Sequence, residues 1–428
     1  MKRFGLMVAL AASLVVGLSS TSIADAPDTG STAKASAYVG PSVVHVETTY
    51  RAKVFNANVP AYVPDEAGRP KVFTVTVGCT GFIVNSAGYV ATAGHCVDPK
   101  AINRRFVEAA VAWYIRLGAD GTPSQVLQQA DFVIRTANPD SERRNADRGA
   151  IRVAWGSADS QQKKARLINA QSAAQGDAAL LRIGGTDLRA VELATSRDLE
   201  IGTGVVSAGY ANAVDDDFQP SYEAGEIRSA KAVGDGSVFE VSAALTPGMS
   251  GGPATTTDGD VIGFNSYLAA QNDGESDQFQ FIGSSDRIMA SLSAAGVTNE
   301  LGPTSKKYAA GLDAYFAGDK KRAVELLQAV VDAQPTHPTA QLYADRAREL
   351  SEGSSSGFPI ALVLGLAVTV VAVIGAIALL MRLARRERPD VRDEVVARRL
   401  ESLIDPPAPD REASISSDVG EHEHMERR

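Results

Sequence analysis

Cysteine, histidine and net positive charge are all scarce in this chain of 428 residues. Two cysteines, Cys79 and Cys96, exclude a framework of several disulfides and leave open one bridge or two inert buried thiols. A formal net charge of −9 provides no basic field, which excludes the usual electrostatic footprint of a DNA- or RNA-binding protein. Only five histidines exist, at positions 45, 95, 337, 422 and 424, so any general base built on imidazole has few candidates. No regular alternation of strand and helix runs along the chain, which argues against a parallel α/β sheet.

What the chain does have is a serine set among glycines, Leu245-Thr-Pro-Gly248-Met-Ser250-Gly251-Gly252-Pro253. Glycine supplies backbone conformations that side-chain-bearing residues resist, and a tight turn can then present a hydroxyl outward while aiming its own N–H groups at one point. A serine hydroxyl attacks only when a base takes its proton and a third group orients that base.

Both ends carry membrane-targeting patterns. Lys2-Arg3 leads a short apolar run from Phe4 to Leu18 and small residues follow, so residues 1–26 are expected to be a cleaved secretory signal. Residues 358–381 are continuously apolar, and Arg382, Arg385, Arg386 and Arg388 follow at once. That layout predicts one transmembrane helix with a cytoplasmic C-terminal side. The chain between the two segments then lies outside the cytoplasm, periplasmic or extracellular, where disulfides persist. His422 and His424 fall on the other side of the membrane, in a tail over 382–428 that is Pro-, Ser- and Glu-rich and expected to be largely disordered.

Between these segments, Pro27 to Ser36 reads as a flexible lead-in, and short β-branched runs such as Ser42-Val-Val-His-Val-Glu-Thr and Lys71-Val-Phe-Thr-Val-Thr-Val predict antiparallel strands. An insertion is expected over 101–160, with apolar residues Phe106, Ala109, Ala110, Trp113 and Leu117 at helical spacing. A second β-rich half runs to about residue 300, and three helices follow over 304–351. Gly311, Ala323 and Pro335 sit there as in a tetratricopeptide repeat, a loose match. One such pair cannot make a solenoid, so the segment is expected to pack on the β domain or to bind a protein partner.

Four stretches stand in order: Gly78-Cys79-Thr-Gly-Phe-Ile-Val, Thr92-Ala-Gly-His95-Cys96, Gly176-Asp177-Ala-Ala-Leu-Leu and Gly248-Met-Ser250-Gly251-Gly252-Pro253. Together they resemble the chymotrypsin/trypsin clan of serine proteases over about residues 40–295, which implies a protease domain at 37–300, and the texture of Pro41-Ser-Val-Val-His-Val-Glu-Thr and Val261-Ile-Gly-Phe-Asn is similar to the bacterial HtrA (Deg) branch. The resemblance implies a mainly β fold of two six-stranded antiparallel barrels. It further implies a triad of His95 as base, Asp177 as its orienter and Ser250 as nucleophile, with an oxyanion hole from the N–H groups of Gly248 and Ser250. Cys79 and Cys96 occupy the places of the bridge that flanks the histidine in trypsin-type members, which implies a disulfide. No metal and no cofactor are implied; the partner is a polypeptide substrate.

Departures qualify the likeness. No Ile-Val-Gly-Gly start exists for activation by a new N-terminus, and helices rather than a PDZ-like domain follow the β region. Ala244 stands where trypsin-like enzymes carry an aspartate that selects basic side chains, so Ala244, Leu245, Asn265 and Ser266 are expected to form a pocket for a small or medium apolar side chain. The stretch around Ser250 also satisfies G-x-S-x-G, the elbow of α/β-hydrolases, but those enzymes place acid and histidine after the serine. A catalytically silent binding or sensor protein on the same fold is the alternative from a different class.

Overall fold

The computed structural model describes residues 30–138, 143–155, 162–211, 219–234, 236–266, 280–353, 369 and 372–383. The chain divides into two compact units, residues 1–355 and residues 356–428.

In the first unit, helix α1 (Ser31–Val39) precedes the strands β1 (Val43–Asn56), β2 (Ala61–Tyr62), β3 (Val72–Asn85) and β4 (Tyr89–Ala93). After helices α2 (Asn103–Arg116) and α3 (Pro123–Gln129) come β5 (Phe132–Thr136), β6 (Asp147–Ala154), β7 (Gln162–Ala170) and β8 (Ala178–Arg182). Antiparallel pairing runs β1-β3-β4-β8-β7-β6, and β6 returns to β1, closing a six-stranded ring with β2 and β5 as additions to β1. Strand alternation explains its filling: Val44, Val46, Thr48, Tyr50, Ala52 and Val54 of β1 are all 0% exposed, whereas the odd positions from His45 to Phe55 are not. Phe82, Leu180 and Leu181 complete this core.

The second barrel consists of β9 (Gly204–Gly209), β10 (Ser221–Val233), β11 (Gly236–Val241), β12 (Pro253–Thr256), β13 (Val261–Ser266) and β14 (Gln280–Ser284), closed in the order β10-β11-β14-β13-β12-β9. Val205, Ile227, Phe239, Val241, Ile262 and Ile282 fill it. Helix α4 (Ser285–Ala294) crosses back, burying Ile288 and Leu292 in the core of the first barrel and tying the two together.

The insertion is shorter than the expected 101–160. Asp147–Ala154 is β6, a barrel strand registered on β1 through Val46↔Val153. The added elements are therefore α2, α3 and β5. On α2, Phe106 and Ala110 are buried as the spacing predicts, Trp113 donates its indole N–H to the Pro64 carbonyl at 2.7 Å, and Leu117 is left 42% exposed past the helix end.

The lead-in also differs from expectation, because Ser31–Val39 is helical. Ala35, Ala37 and Val39 are buried, and the Tyr38 hydroxyl donates to Asp313 at 2.6 Å. Asp313 belongs to α5 (Pro303–Phe316), which packs with α6 (Lys320–Ala333) and α7 (Ala340–Gly353) around Leu312, Leu327, Val330 and Ala344. Gly311 lies so close to Leu327 that a Cβ there would press on that side chain.

In the second unit, residues 372–383 are helical, and Val373, Ile374, Ile377, Leu379, Leu380 and Met381 are exposed. No helix among the described residues is long and apolar enough to cross a membrane. The expected signal at 1–26, most of the first half of the expected span at 358–381, and the tail beyond residue 383 lie outside the described residues.

Candidate active site

His95 sits in a single 3-10 turn after β4, and Asp177 lies just before β8, the strand next to β4 in the ring. Adjacent strands thus bring together residues 82 apart in sequence. Asp177 is 0% exposed and has a left-handed backbone with φ of 58°, a conformation that aspartate tolerates better than most residues. Its N–H donates to the Ser172 carbonyl at 3.0 Å and its carbonyl accepts from the Gly94 N–H at 2.6 Å. So fixed, the carboxylate accepts from the His95 N–H at 2.8 Å on Oδ1, and on Oδ2 it meets His95 Nδ1 at 2.8 Å and the Ser266 hydroxyl at 2.6 Å. A proton on Nδ1 shared with this buried acid leaves Nε2 as the free base. Burial pushes the His95 pKa down, but the charge and hydrogen bond of Asp177 outweigh it, so the net direction is up from the ordinary value. The Arg105 charge works weakly against that rise.

Ser250 follows β11 in the second barrel. The turn that carries it has nearly every carbonyl taken: Gly248 O accepts from Thr80 Oγ1 at 2.8 Å, Met249 O from Asn265 Nδ2 at 3.1 Å, and Ser250 O from the Thr80 N–H at 2.8 Å. Met249 is buried to 1% exposure and pins the turn from inside. Gly248 has φ of 100° and Gly251 φ of 85°, and a Cβ on Gly251 would collide with the Thr80 carbonyl and Thr92 Oγ1. Among the described residues, no acceptor takes the N–H of Gly248 or of Ser250. Two amide donors are thereby left beside the serine, the arrangement that stabilises an oxyanion. No hydrogen bond joins Ser250 Oγ to His95 among the described residues.

His95 and Ser250 face one cleft of about 240 Å³, also lined by Val77, Gly78, Cys79, Arg105, Leu245, Pro247, Gly248, Asn265, Ser266 and Gln280. Cys79 and Cys96 are joined in a disulfide beneath His95. These two sulfurs lie within ligand distance of His95, but bonded to each other they offer no thiolate to a metal.

The expected pocket residues divide. Leu245 lines the cleft; Ala244 is exposed and outside the lining, because Ala243 takes the inward place beside it. Asn265 and Ser266 line it too; the Asn265 Nδ2 and the Ser266 hydroxyl are spent on the serine turn and on Asp177, while Asn265 Oδ1 is buried without a partner among the described residues. Sequence reasoning missed Thr80, Arg105 and Gln280. Thr80 stood inside a recognised stretch, and its hydroxyl also accepts the Tyr210 N–H at 2.8 Å, joining first barrel, second barrel and serine turn. Arg105 reaches the cleft from the insertion, which no clan motif marks. The Gln280 Oε1 is buried without a partner among the described residues.

Residues 79–264 match the family model described as trypsin-like peptidase domain. This part of the chain is a trypsin-like peptidase domain. A protein of Pseudomonas fluorescens named probable periplasmic serine endoprotease DegP-like is 26% identical over 264 residues, which are 61% of this chain and 47% of that protein. One of the same name from Pseudomonas fulva is 29% identical over 148 residues, 35% of this chain and 29% of its own. The chain thus spans about half the length, or less, of these curated relatives. Among solved structures, HtrA-type protease AlgW with decapeptide aligns at 18% identity and a TM-score of 0.39, covering 63% of this chain and 69% of that one. Deg5 aligns at 16% identity and 0.36, covering 61% and 91%.

Proposed function

We propose that this chain is a membrane-tethered, extracytoplasmic serine endopeptidase acting through His95, Asp177 and Ser250. The observation that carries the reading is the turn at Ser250: its carbonyls are occupied and the Gly248 and Ser250 N–H groups are free, beside an imidazole whose Nδ1 is held by a buried carboxylate.

The chemistry follows from that arrangement. Ser250 Oγ attacks the scissile carbonyl carbon while Nε2 of His95 takes its proton, and the carbonyl electron pair moves to oxygen, where the two N–H groups receive it. Collapse of that intermediate breaks the C–N bond; the imidazolium returns the proton to the leaving amine, and an ester on Ser250 remains. Water, deprotonated by the same nitrogen, hydrolyses the ester. Asp177 orients the imidazole throughout, and Ser266 helps to hold its carboxylate in place.

Leu245, Pro247 and Gln280 are among the cleft residues that meet the side chain before the scissile bond. A small or medium side chain fits them, and Gln280 favours one that donates a hydrogen bond. The leader pattern of residues 1–26 and the apolar run 358–381, with its arginines, support the tether and the compartment, and exposed apolar side chains over residues 372–383 suit a lipid environment.

The silent sensor has one observation in its favour, the missing Ser250–His95 hydrogen bond. Such bonds are often long in the absence of substrate. Hydrolysis of unfolded casein by the purified full chain separates the two readings. The peptidase reading expects turnover that falls by at least about 10³-fold in Ser250→Ala and in His95→Ala; turnover equal in wild type and Ser250→Ala contradicts it.

A further inference from the structure

A cavity of about 330 Å³ in the first unit shares no lining residue with the cleft at Ser250. Its walls come from four places: Tyr38 and Ser42 at the end of α1, residues 189–194 between β8 and β9, Gly259 and Asp260 between β12 and β13, and Ser305, Tyr308 and His337 of the helical segment.

Two of these side chains are donors without acceptors. Arg189 is largely removed from water, and among the described residues it makes no ion pair and no hydrogen bond. His337 is 6% exposed, packs against Tyr308 with ring centres 4.4 Å apart and planes tilted by 45°, and accepts the Ala340 N–H on Nδ1 at 3.1 Å. Its remaining proton is therefore on Nε2, which has no partner among the described residues. The nearby Tyr308 hydroxyl is already committed to Ala37 O and Thr339. A half-buried guanidinium and a ring N–H, both at the cavity wall and without an acceptor among the described residues, offer two donors to whatever fills the cavity.

We infer that this cavity is a binding site for a small monocarboxylate, held by the Arg189 guanidinium and the His337 Nε2–H. A carboxylate matches the planar fork of arginine with two parallel hydrogen bonds. The volume admits a molecule with a short apolar body, which Ala190, Val191, Leu193 and Ala309 would cover. The other two charged groups of the lining, Glu192 and Asp260, are exposed acids. They disfavour a second negative charge, so phosphate and sulfate bind worse. Burial and the Arg189 charge keep His337 neutral, its pKa lowered to about 3, and a bound carboxylate raises it. The inference does not depend on the peptidase reading.

The test uses the full chain in detergent as Ser250→Ala, which removes self-cleavage from the measurement. Thermal unfolding is followed against sodium isovalerate, sodium sulfate and sodium chloride at matched ionic strength, with calorimetric titration of isovalerate. Isovalerate is expected to raise the midpoint saturably while chloride does not. Arg189→Gln is expected to weaken isovalerate binding by about tenfold or more, and Ala309→Leu, which fills the cavity while leaving both donors, to abolish it. The comparison of isovalerate with sulfate and chloride on the Ser250→Ala chain needs no further variant. No saturable effect up to about 100 mM, an effect of sulfate equal to that of isovalerate, or unchanged binding in Arg189→Gln overturns the assignment.

Discussion

At the residue scale, the site depends on how few groups do more than one thing. His95 must be neutral to accept the Ser250 proton, and Asp177 raises its pKa above the ordinary value of about 6.5. Activity therefore falls as pH drops through a midpoint above about 6.5, rather than at it. Arg105 opposes protonation of His95, so Arg105→Gln is expected to raise that midpoint further; a pH profile of kcat/KM checks the direction, and a downward shift contradicts it. Thr80 is a positioning residue: its hydroxyl accepts the Tyr210 N–H and donates to Gly248 O. Thr80→Val leaves both backbone groups unpaired, at a cost of about 1–3 kcal/mol each. Its expected signature is a loss in kcat larger than any change in KM, with recovery in Thr80→Ser. Equal kinetics in Thr80→Val and wild type would show that the serine turn holds itself.

At the scale of elements, the disulfide ties β3 to the turn bearing His95 across 17 residues. By loop entropy this contributes about 3 kcal/mol, so Cys79→Ala/Cys96→Ala is expected to lower the urea midpoint at an unchanged slope; a stability within about 0.5 kcal/mol of wild type contradicts that role. Elements also mark what the sequence made legible. Strands such as Val43–Asn56 alternate strictly, and the stretches around Cys79, His95, Asp177 and Ser250 are local, so fold class and the grouping of these residues could be read directly. The ring-closing role of Asp147–Ala154 could not, although its own run Ala150-Ile-Arg-Val-Ala reads as a strand, because its pairing with β1 is a contact about 100 residues away that no local pattern encodes. Helix Ser31–Val39 was hidden by its composition: small and polar residues look like a linker until Ala35, Ala37 and Val39 are seen to be covered by elements far along the chain. Ala244 falls outside the cleft lining, since past the end of β11 it faces solvent while its neighbour Ala243 is buried in the core of the second barrel.

At the scale of the whole molecule, the helical segment is held to the barrels through buried polar groups, and acid should expose that dependence. His337 is neutral in the fold, its pKa lowered to about 3 by burial and by Arg189, against about 6.5 when unfolded. The unfolded chain thus binds the extra proton first as pH falls, so this group leaves stability unchanged above about pH 7 and erodes it between about 6.5 and 3, by up to about 1.4 kcal/mol per pH unit. His45, lowered by burial, acts in the same direction. The difference between wild type and His337→Gln in urea unfolding, measured at several pH values, isolates the effect; a pH-independent difference contradicts it. The account as a whole stands on Ser250 being an activated nucleophile. Its most direct test is reaction of the full chain with a fluorophosphonate, followed by tandem mass spectrometry of the adduct. The account predicts a single adduct on Ser250, abolished in Ser250→Ala and slowed in His95→Ala; absence of any adduct on Ser250 in wild-type protein at pH 8, with the fold intact, would contradict it.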